Sequence, residues 1–266
     1  MIFRTPVRQA LASPLFAIVL ACASQGAAGS TSTSEITDMW WNPAESGWGV
    51  NVIMQNNVAF MTFFVYDSSQ NPVWYTAELR NQGSFVWSGG LYATKGPWFG
   101  GAFPPANVTR RQAGTASFTL GDLYDATLAY TVDGVTVSKP LQRQTWTYED
   151  ISGNYAGGYS VAMSGCTLAS RNGVQELSGL LTVTQKGTAV SIDAAGAGLN
   201  CTFAGTYSQF GKLGQVAGSY GCSDDARGTF TMYDLTPTVH GFTAHVIGQS
   251  QFCQWTGYIG GISRAQ

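Results

Sequence analysis

The sequence predicts an all-β protein of two antiparallel meander domains, the second an up-and-down, barrel-like sheet held by two disulfides. Three observations carry that expectation. Charge is scarce at 11% of residues, while 33 glycines and an aromatic share of 13% stand in for it, the composition of short strands joined by tight turns. Apolar runs recur between turn residues throughout, and no stretch shows the 3.6-residue period of an amphipathic helix. Finally, Cys201 and Cys222 are equidistant from the turn signal Gly211-Lys212, as cross-strand partners in an uninterrupted hairpin must be.

Residues 1–23 read as an export signal, with Arg4 and Arg8 ahead of an apolar segment at 10–21 and then small residues. That segment is too short for a membrane-spanning helix, which needs about 20 apolar residues. Val19-Leu20-Ala21-Cys22 resembles a bacterial lipobox, which makes Cys22 the candidate lipidation site; ordinary cleavage after Ala23 or Ala28 is the alternative. Removing or lipidating Cys22 leaves four cysteines, suited to two disulfides in an oxidising compartment. The expected location is therefore the periplasm, the outer membrane as a lipoprotein, or the medium. Residues 24–37, rich in serine and threonine, form a tether.

Residues 38–150 form the first expected domain, rich in aromatics. Runs at 48–55 and 58–67 are separated by Asn56-Asn57, and Ser68-Ser69-Gln70-Asn71-Pro72 leads to a third run ending near Leu79. Further strands fall at 85–94, 115–120, 127–132 and 135–142, the last two joined across Asp133-Gly134, a hairpin dipeptide that tolerates positive φ. The run from Val58 to Tyr66 is apolar on both faces and is expected to be covered on both. The connection Gly96-Pro97-Trp98-Phe99-Gly100-Gly101-Ala102-Phe103-Pro104-Pro105 is too rich in glycine and proline for a central strand and too aromatic for an ordinary loop. It reads either as a flap over the core or as a ligand-facing lip.

Residues 151–266 form the second domain, with strands expected at 154–163, 176–186, 188–194, 199–209, 214–222, 228–235, 239–248 and 252–262. Closing such a sheet brings its first and last strands together, which places Cys166 beside Cys253 and leaves Cys201 to Cys222. A faint echo relates 49–56 to 179–186, each a strand ending in glutamine at a turn, although any hairpin supplies that much.

Chemistry is less legible than fold. Thirteen basic residues against fifteen acidic ones leave no electrostatic footprint for nucleic acid. His240 and His245, an odd offset apart on one strand, point to opposite faces, so no metal site is expected, and nothing calls for a cofactor. No Gly-x-Ser-x-Gly elbow and no phosphate loop opening a helix is present. The densest signal is Trp40-Trp41-Asn42-Pro43-Ala44-Glu45-Ser46-Gly47-Trp48-Gly49, which gathers three of the eight tryptophans on a bent segment. It is either a plug under a sheet or an aromatic lip. The candidate ligand-binding residues are Trp40, Trp41, Glu45, Trp48, Trp74, Trp98 and Phe99. Glu45 is the one weak catalytic candidate, with Asp122 or Asp125 facing it in a glycan hydrolase; otherwise it caps a turn or pairs with an arginine such as Arg80. Asp224-Asp225 and Glu149-Asp150 read as solvated turns.

That tryptophan segment resembles a Trp-Trp-Asn-Pro-x-Glu-Ser-Gly-Trp-Gly segment of predicted exported proteobacterial proteins, and the likeness extends to about Trp146 through Gly96-Pro97 and Phe103-Pro104. The resemblance implies bacterial export and transfers no catalytic residue. The function expected from the residues is binding of a glycan or small apolar ligand on an aromatic surface or cleft. A structural or adhesive surface protein and a glycan hydrolase are the alternatives, with membrane contact only through an N-terminal lipid.

Overall fold

The computed structural model describes residues 35–264. The export signal, Cys22 and the tether before Glu35 lie outside the described residues. Two closed, eight-stranded antiparallel barrels follow one another along the chain, each an up-and-down meander with every strand bonded to its sequence neighbours.

The first barrel comprises β1 (Asp38–Trp41), β2 (Gly49–Gln55), β3 (Val58–Tyr66), β4 (Pro72–Asn81), β5 (Val86–Lys95), β6 (Thr109–Leu120), β7 (Asp125–Val132) and β8 (Val135–Arg143). The strand that completes it is the one not expected from sequence. Trp40 and Trp41 lie in β1, which pairs with β2 on one side and β8 on the other and so removes both free edges. Four residues are enough because Asn42 then caps a 3-10 turn at Pro43–Glu45 through its side-chain oxygen, turning the chain toward β2. Inward residues alternate along every strand. Val50 and Val52, Ala59, Met61 and Phe63, Ala77 and Leu79, Trp87 and Leu91, Phe118, Leu128 and Leu141 fill the interior around Trp40. The outer face of β3 is not covered as expected. Phe60, Phe64 and Tyr66 remain about half exposed, because a closed barrel has one inside and offers no second sheet.

The second barrel comprises β9 (Gly153–Ser164), β10 (Gly173–Lys186), β11 (Ala189–Gly196), β12 (Leu199–Phe210), β13 (Leu213–Cys222), β14 (Arg227–Thr238), β15 (Gly241–Ser250) and β16 (Gln254–Ser263). Pairing of β16 with β9 closes it, and both expected bridges form. Cys201 sits opposite Cys222 in register, and Cys166–Cys253 joins the β9–β10 connection to the start of β16. These disulfides belong to an oxidising, non-cytoplasmic setting. Glycine allows the tight coiling of this small barrel: a Cβ on Gly158 would fall 1.7 Å from the Leu177 carbonyl oxygen, and one on Gly157 would fall 2.1 Å from that of Gly260. His240 lies in the turn between β14 and β15 rather than on a strand, while His245 is on β15. The His245 ring packs between Tyr233 and Tyr258, its Nδ1 3.3 Å from Asp234 Oδ2 but off the hydrogen-bond axis.

The two halves are alike in geometry at their first strands, but not in the register of 49–56 against 179–186, which is off by one residue. Trp40 opposes Val50 and Tyr155 opposes Leu181. In each barrel the aromatic at the start of the first strand donates to the carbonyl of a buried isoleucine four residues earlier, Trp40 to Ile36 and Tyr155 to Ile151. The hydroxyl after each isoleucine, on Thr37 or Ser152, accepts from an amide of the second strand, Met54 or Gln185. Each isoleucine thus plugs one end of its barrel.

The barrels meet through these plugged ends. Tyr124 stacks on Phe210 with centroids 4.0 Å apart, Lys212 N–H donates to Asp38 Oδ2, and Thr145 bridges Gln209 O and the Gly211 amide. Arg143 is the buried centre of that junction. Its Nε donates to Leu123 O, Nη1 to Asp38 Oδ2 at 3.1 Å and Nη2 to Glu35 O, while the guanidinium lies 4.6 Å from the Trp40 ring centre.

Candidate functional site

The unplugged ends carry what remains of the site-like chemistry. At that end of the first barrel, the connections 42–48, 67–71, 96–108 and 133–134 form the rim. Trp40 is not part of it. Its ring is fully buried against Phe118 and its indole N–H is spent on Ile36, so it serves the core and is withdrawn as a ligand contact. Trp41 is half-buried at the C-terminal end of β1, and Trp48 packs against the edge of the core.

Glu45 is neither near a second carboxylate of catalytic use nor paired with Arg80. Arg80 binds Glu78, and Asp122 caps the turn ahead of β7 by accepting from the Tyr124 and Asp125 amides. Glu45 instead receives Lys139 Nζ at 2.6 Å and the Trp48 indole N–H at 3.0 Å. Lys139 alternates with Leu141 and Arg143 on the inward face of β8, so the pair ties β8 at the mouth to the turn after β1, and Trp48 is bonded to it. The plug reading of the tryptophan segment holds for Trp40 and Trp48.

The hydrogen bond from Lys139 holds the Glu45 carboxyl below the ordinary value of 4.5, with Trp48 adding to the effect against a smaller opposing burial. A general acid for glycoside cleavage needs the reverse shift, so this geometry works against Glu45 as a proton donor. Because the folded value is the lower one, the latch is intact above the ordinary carboxyl range and is lost as pH falls through the folded value. Trp48 emission is therefore expected to change with a midpoint below pH 4.5. A midpoint above that, or the same titration in Lys139→Met, would contradict the latch.

Trp74, Trp98 and Phe99 do not converge on this mouth. Trp74 stands on the outer wall of β4, and Trp98 and Phe99 project from the 96–108 connection with 72% and 88% of their surfaces exposed. The flap reading fails here, since these rings do not pack on the core.

The mouth of the second barrel is different. An apolar cavity of about 90 Å³ opens there, lined by Tyr159, Met163, Leu199, Phe203, Tyr220 and Trp255, with Gln175 and Asp224 among its polar contacts. Phe203 and Tyr220 are cross-strand partners stacked 5.4 Å apart, Trp255 stands edge-on to Tyr220, and its indole N–H donates to the Tyr220 hydroxyl. Burial raises the Tyr159 phenol above its ordinary range, and Asp224, which lines the same cavity, adds to the shift. Both disulfides lie at this same end, so the walls of the cavity are covalently pinned. Wider depressions on the outer walls, such as the one over Ser160, Glu176 and Tyr258, are shallow and offer no enclosure.

Sequence reasoning missed this cavity, although a signal was present. Strand side chains on one face recur every second residue. Cys201-x-Phe203, Tyr220-x-Cys222 and Cys253-x-Trp255 therefore put three aromatics on the cysteines' own face, one step further inside. Among the described residues no group of three or more histidines, cysteines and acids is placed to hold a metal ion, and no helix is long and apolar enough to cross a membrane.

Fold and site together define a tandem of closed up-and-down barrels, one mouth latched by an ion pair and the other opening on an aromatic pocket. Compared with known proteins, the chain matches no family model and no curated protein.

Proposed function

We propose that this is an exported binding protein that takes a small apolar ligand into the mouth of its second barrel. The observation that carries the reading is the cavity itself: concave, dominated by aromatic and aliphatic side chains, with a few polar groups at hand to orient what enters. Eight-stranded barrels are just wide enough to hold one small ligand when part of the interior is left unfilled. Here the interior is filled by Ile151, Tyr207, Leu235 and Phe242, and the space lies at the disulfide end. The volume suits a single ring or a branched aliphatic group, with Asp224 and Gln175 available to a polar substituent. Export to the periplasm or beyond fits the signal-like start of the chain and the two disulfides.

The test uses toluene and phenol as probes, followed through methyl resonances. Both are expected to shift Leu199, Val161 and Val246 and to leave Val50 and Val52 of the first barrel unmoved. Leu199→Trp, placed at the partly exposed edge of the cavity, is expected to weaken binding at least ~10-fold by filling the space while the thermal midpoint is kept. Shifts centred on Trp48 and Glu45, or binding undiminished by Leu199→Trp, would move the site elsewhere.

A further inference from the structure

We propose that the 96–108 connection of the first barrel docks on an anionic lipid surface, with Trp98 and Phe99 inserted at the headgroup boundary. This site is separate from the ligand cavity and does not depend on it. The loop joins β5 to β6 and is the longest connection on its rim. Trp98, Phe99 and Phe103 are 72%, 88% and 51% exposed, an arrangement that costs solvation in water and is favourable at a membrane interface, where amphipathic rings concentrate. Their outward position is built in. Pro104 and Pro105 lead into a 3-10 turn closed by Asn107 N–H to Pro104 O and Val108 N–H to Pro105 O, and Gly101 N–H bonds back to Trp98 O. The indole lies so close over Gly100 that a Cβ there would fall 2.4 Å from it, so one face of Trp98 rests on its own loop and the other is open.

Charge selects the partner. No aspartate or glutamate occurs between Glu78 and Asp122, whereas Lys95, Arg110 and Arg111 stand at the loop's two roots. Lys95 pairs with Thr109 in register, and Arg110 lies next to it, its guanidinium 4.4 Å from the Tyr92 ring centre. The rim's carboxylates are engaged elsewhere: Glu45 with Lys139, Asp133 with Arg111, and Asp67 with the amides of its own turn at Ser69 and Asn71. Among the described residues no carboxylate is paired with Lys95 or Arg110, and basic side chains near an anionic leaflet are drawn to its surface charge. Phe64, Tyr66 and Trp74, half-exposed at the same end of the outer wall, extend the surface that insertion would wet with lipid. A protein partner would need a concave pocket for this convex tip; a bilayer needs none.

The experiment is co-sedimentation of the exported, processed protein with vesicles of phosphatidylethanolamine and phosphatidylglycerol, and with vesicles of phosphatidylcholine. Wild type and Trp98→Ser/Phe99→Ser are compared side by side, so that anything the N-terminus contributes is common to both. Binding to the anionic vesicles is expected, with a blue shift of tryptophan emission and a loss of affinity as salt rises. The double variant is expected to bind at least ~100-fold more weakly while melting at the wild-type temperature, since neither ring is in the core. Lys95→Glu/Arg110→Glu is expected to lose at least ~10-fold on anionic vesicles and little on phosphatidylcholine. Absence of sedimentation, binding equal in wild type and double variant, or a loop-dependent dimer in light scattering without vesicle binding would each overturn the proposal.

Discussion

Arg143→Met is expected to lower the unfolding free energy by about 3–5 kcal/mol, the cost of removing one partner from a buried, hydrogen-bonded ion pair. Arg143 is 4% exposed, and its guanidinium is the shared donor for Leu123 O, Glu35 O and the Asp38 carboxylate, three groups from two separate segments. Burial lowers its pKa, and the bond to Asp38 pulls it back up, so the cation persists; its loss takes the donor from Leu123 O and Glu35 O and leaves the buried Asp38 carboxylate without its cation. Arg143→Lys is not a rescue, because an ammonium on a flexible stem cannot reproduce the planar fork that reaches all three and faces Trp40. Adding Asp38→Leu to Arg143→Met should recover part of the loss, since the uncompensated charge goes with it. Urea denaturation checks each step. A loss under about 1 kcal/mol in Arg143→Met would mean that water reaches the junction freely.

Removing the disulfides is the other large effect, and the two are expected to differ. Cys201–Cys222 closes a separation of 21 residues and Cys166–Cys253 one of 87. Chain-entropy reasoning assigns about 3 kcal/mol to the first and about 4.5 kcal/mol to the second. The longer link also fastens β9 to the start of β16, the seam on which closure of the second barrel depends. Cys166→Ala/Cys253→Ala should therefore unfold the second barrel at lower denaturant than Cys201→Ala/Cys222→Ala. Both should loosen the cavity, whose wall includes Cys201 and Cys222. An equal loss from the two variants, or one confined to the first barrel, would contradict this account.

How far the sequence could be read depended on how local the determining interactions are. Turn dipeptides and period-two alternation placed all eight strands of the second barrel, and the symmetry of Cys201 and Cys222 about Gly211-Lys212 gave the first bridge, because hairpins are made between neighbours in the chain, while Cys166–Cys253 followed from the expected closure of first strand on last. The same logic did not reach β1. Trp40-Trp41 ahead of Asn42-Pro43 looks like a bend, and its strand character exists only because β8, a hundred residues away, supplies the second edge. Glu45 could be seen as a carboxylate among tryptophans, but not as the partner of Lys139, a contact 94 residues apart in sequence.

The tryptophan segment shows the division most clearly. By itself the sequence determined that aromatic mass is delivered by a bent segment, that the chain is sheet throughout its described length, and which cysteines meet. Only the tertiary structure decided that Trp40 is core, Trp48 a latch, and Trp98 and Phe99 a bare tip, and that the enclosed cavity belongs to the other barrel. Whether a ring is buried or presented is settled when a sheet closes on itself, and closure is a property of all eight strands at once rather than of any one of them.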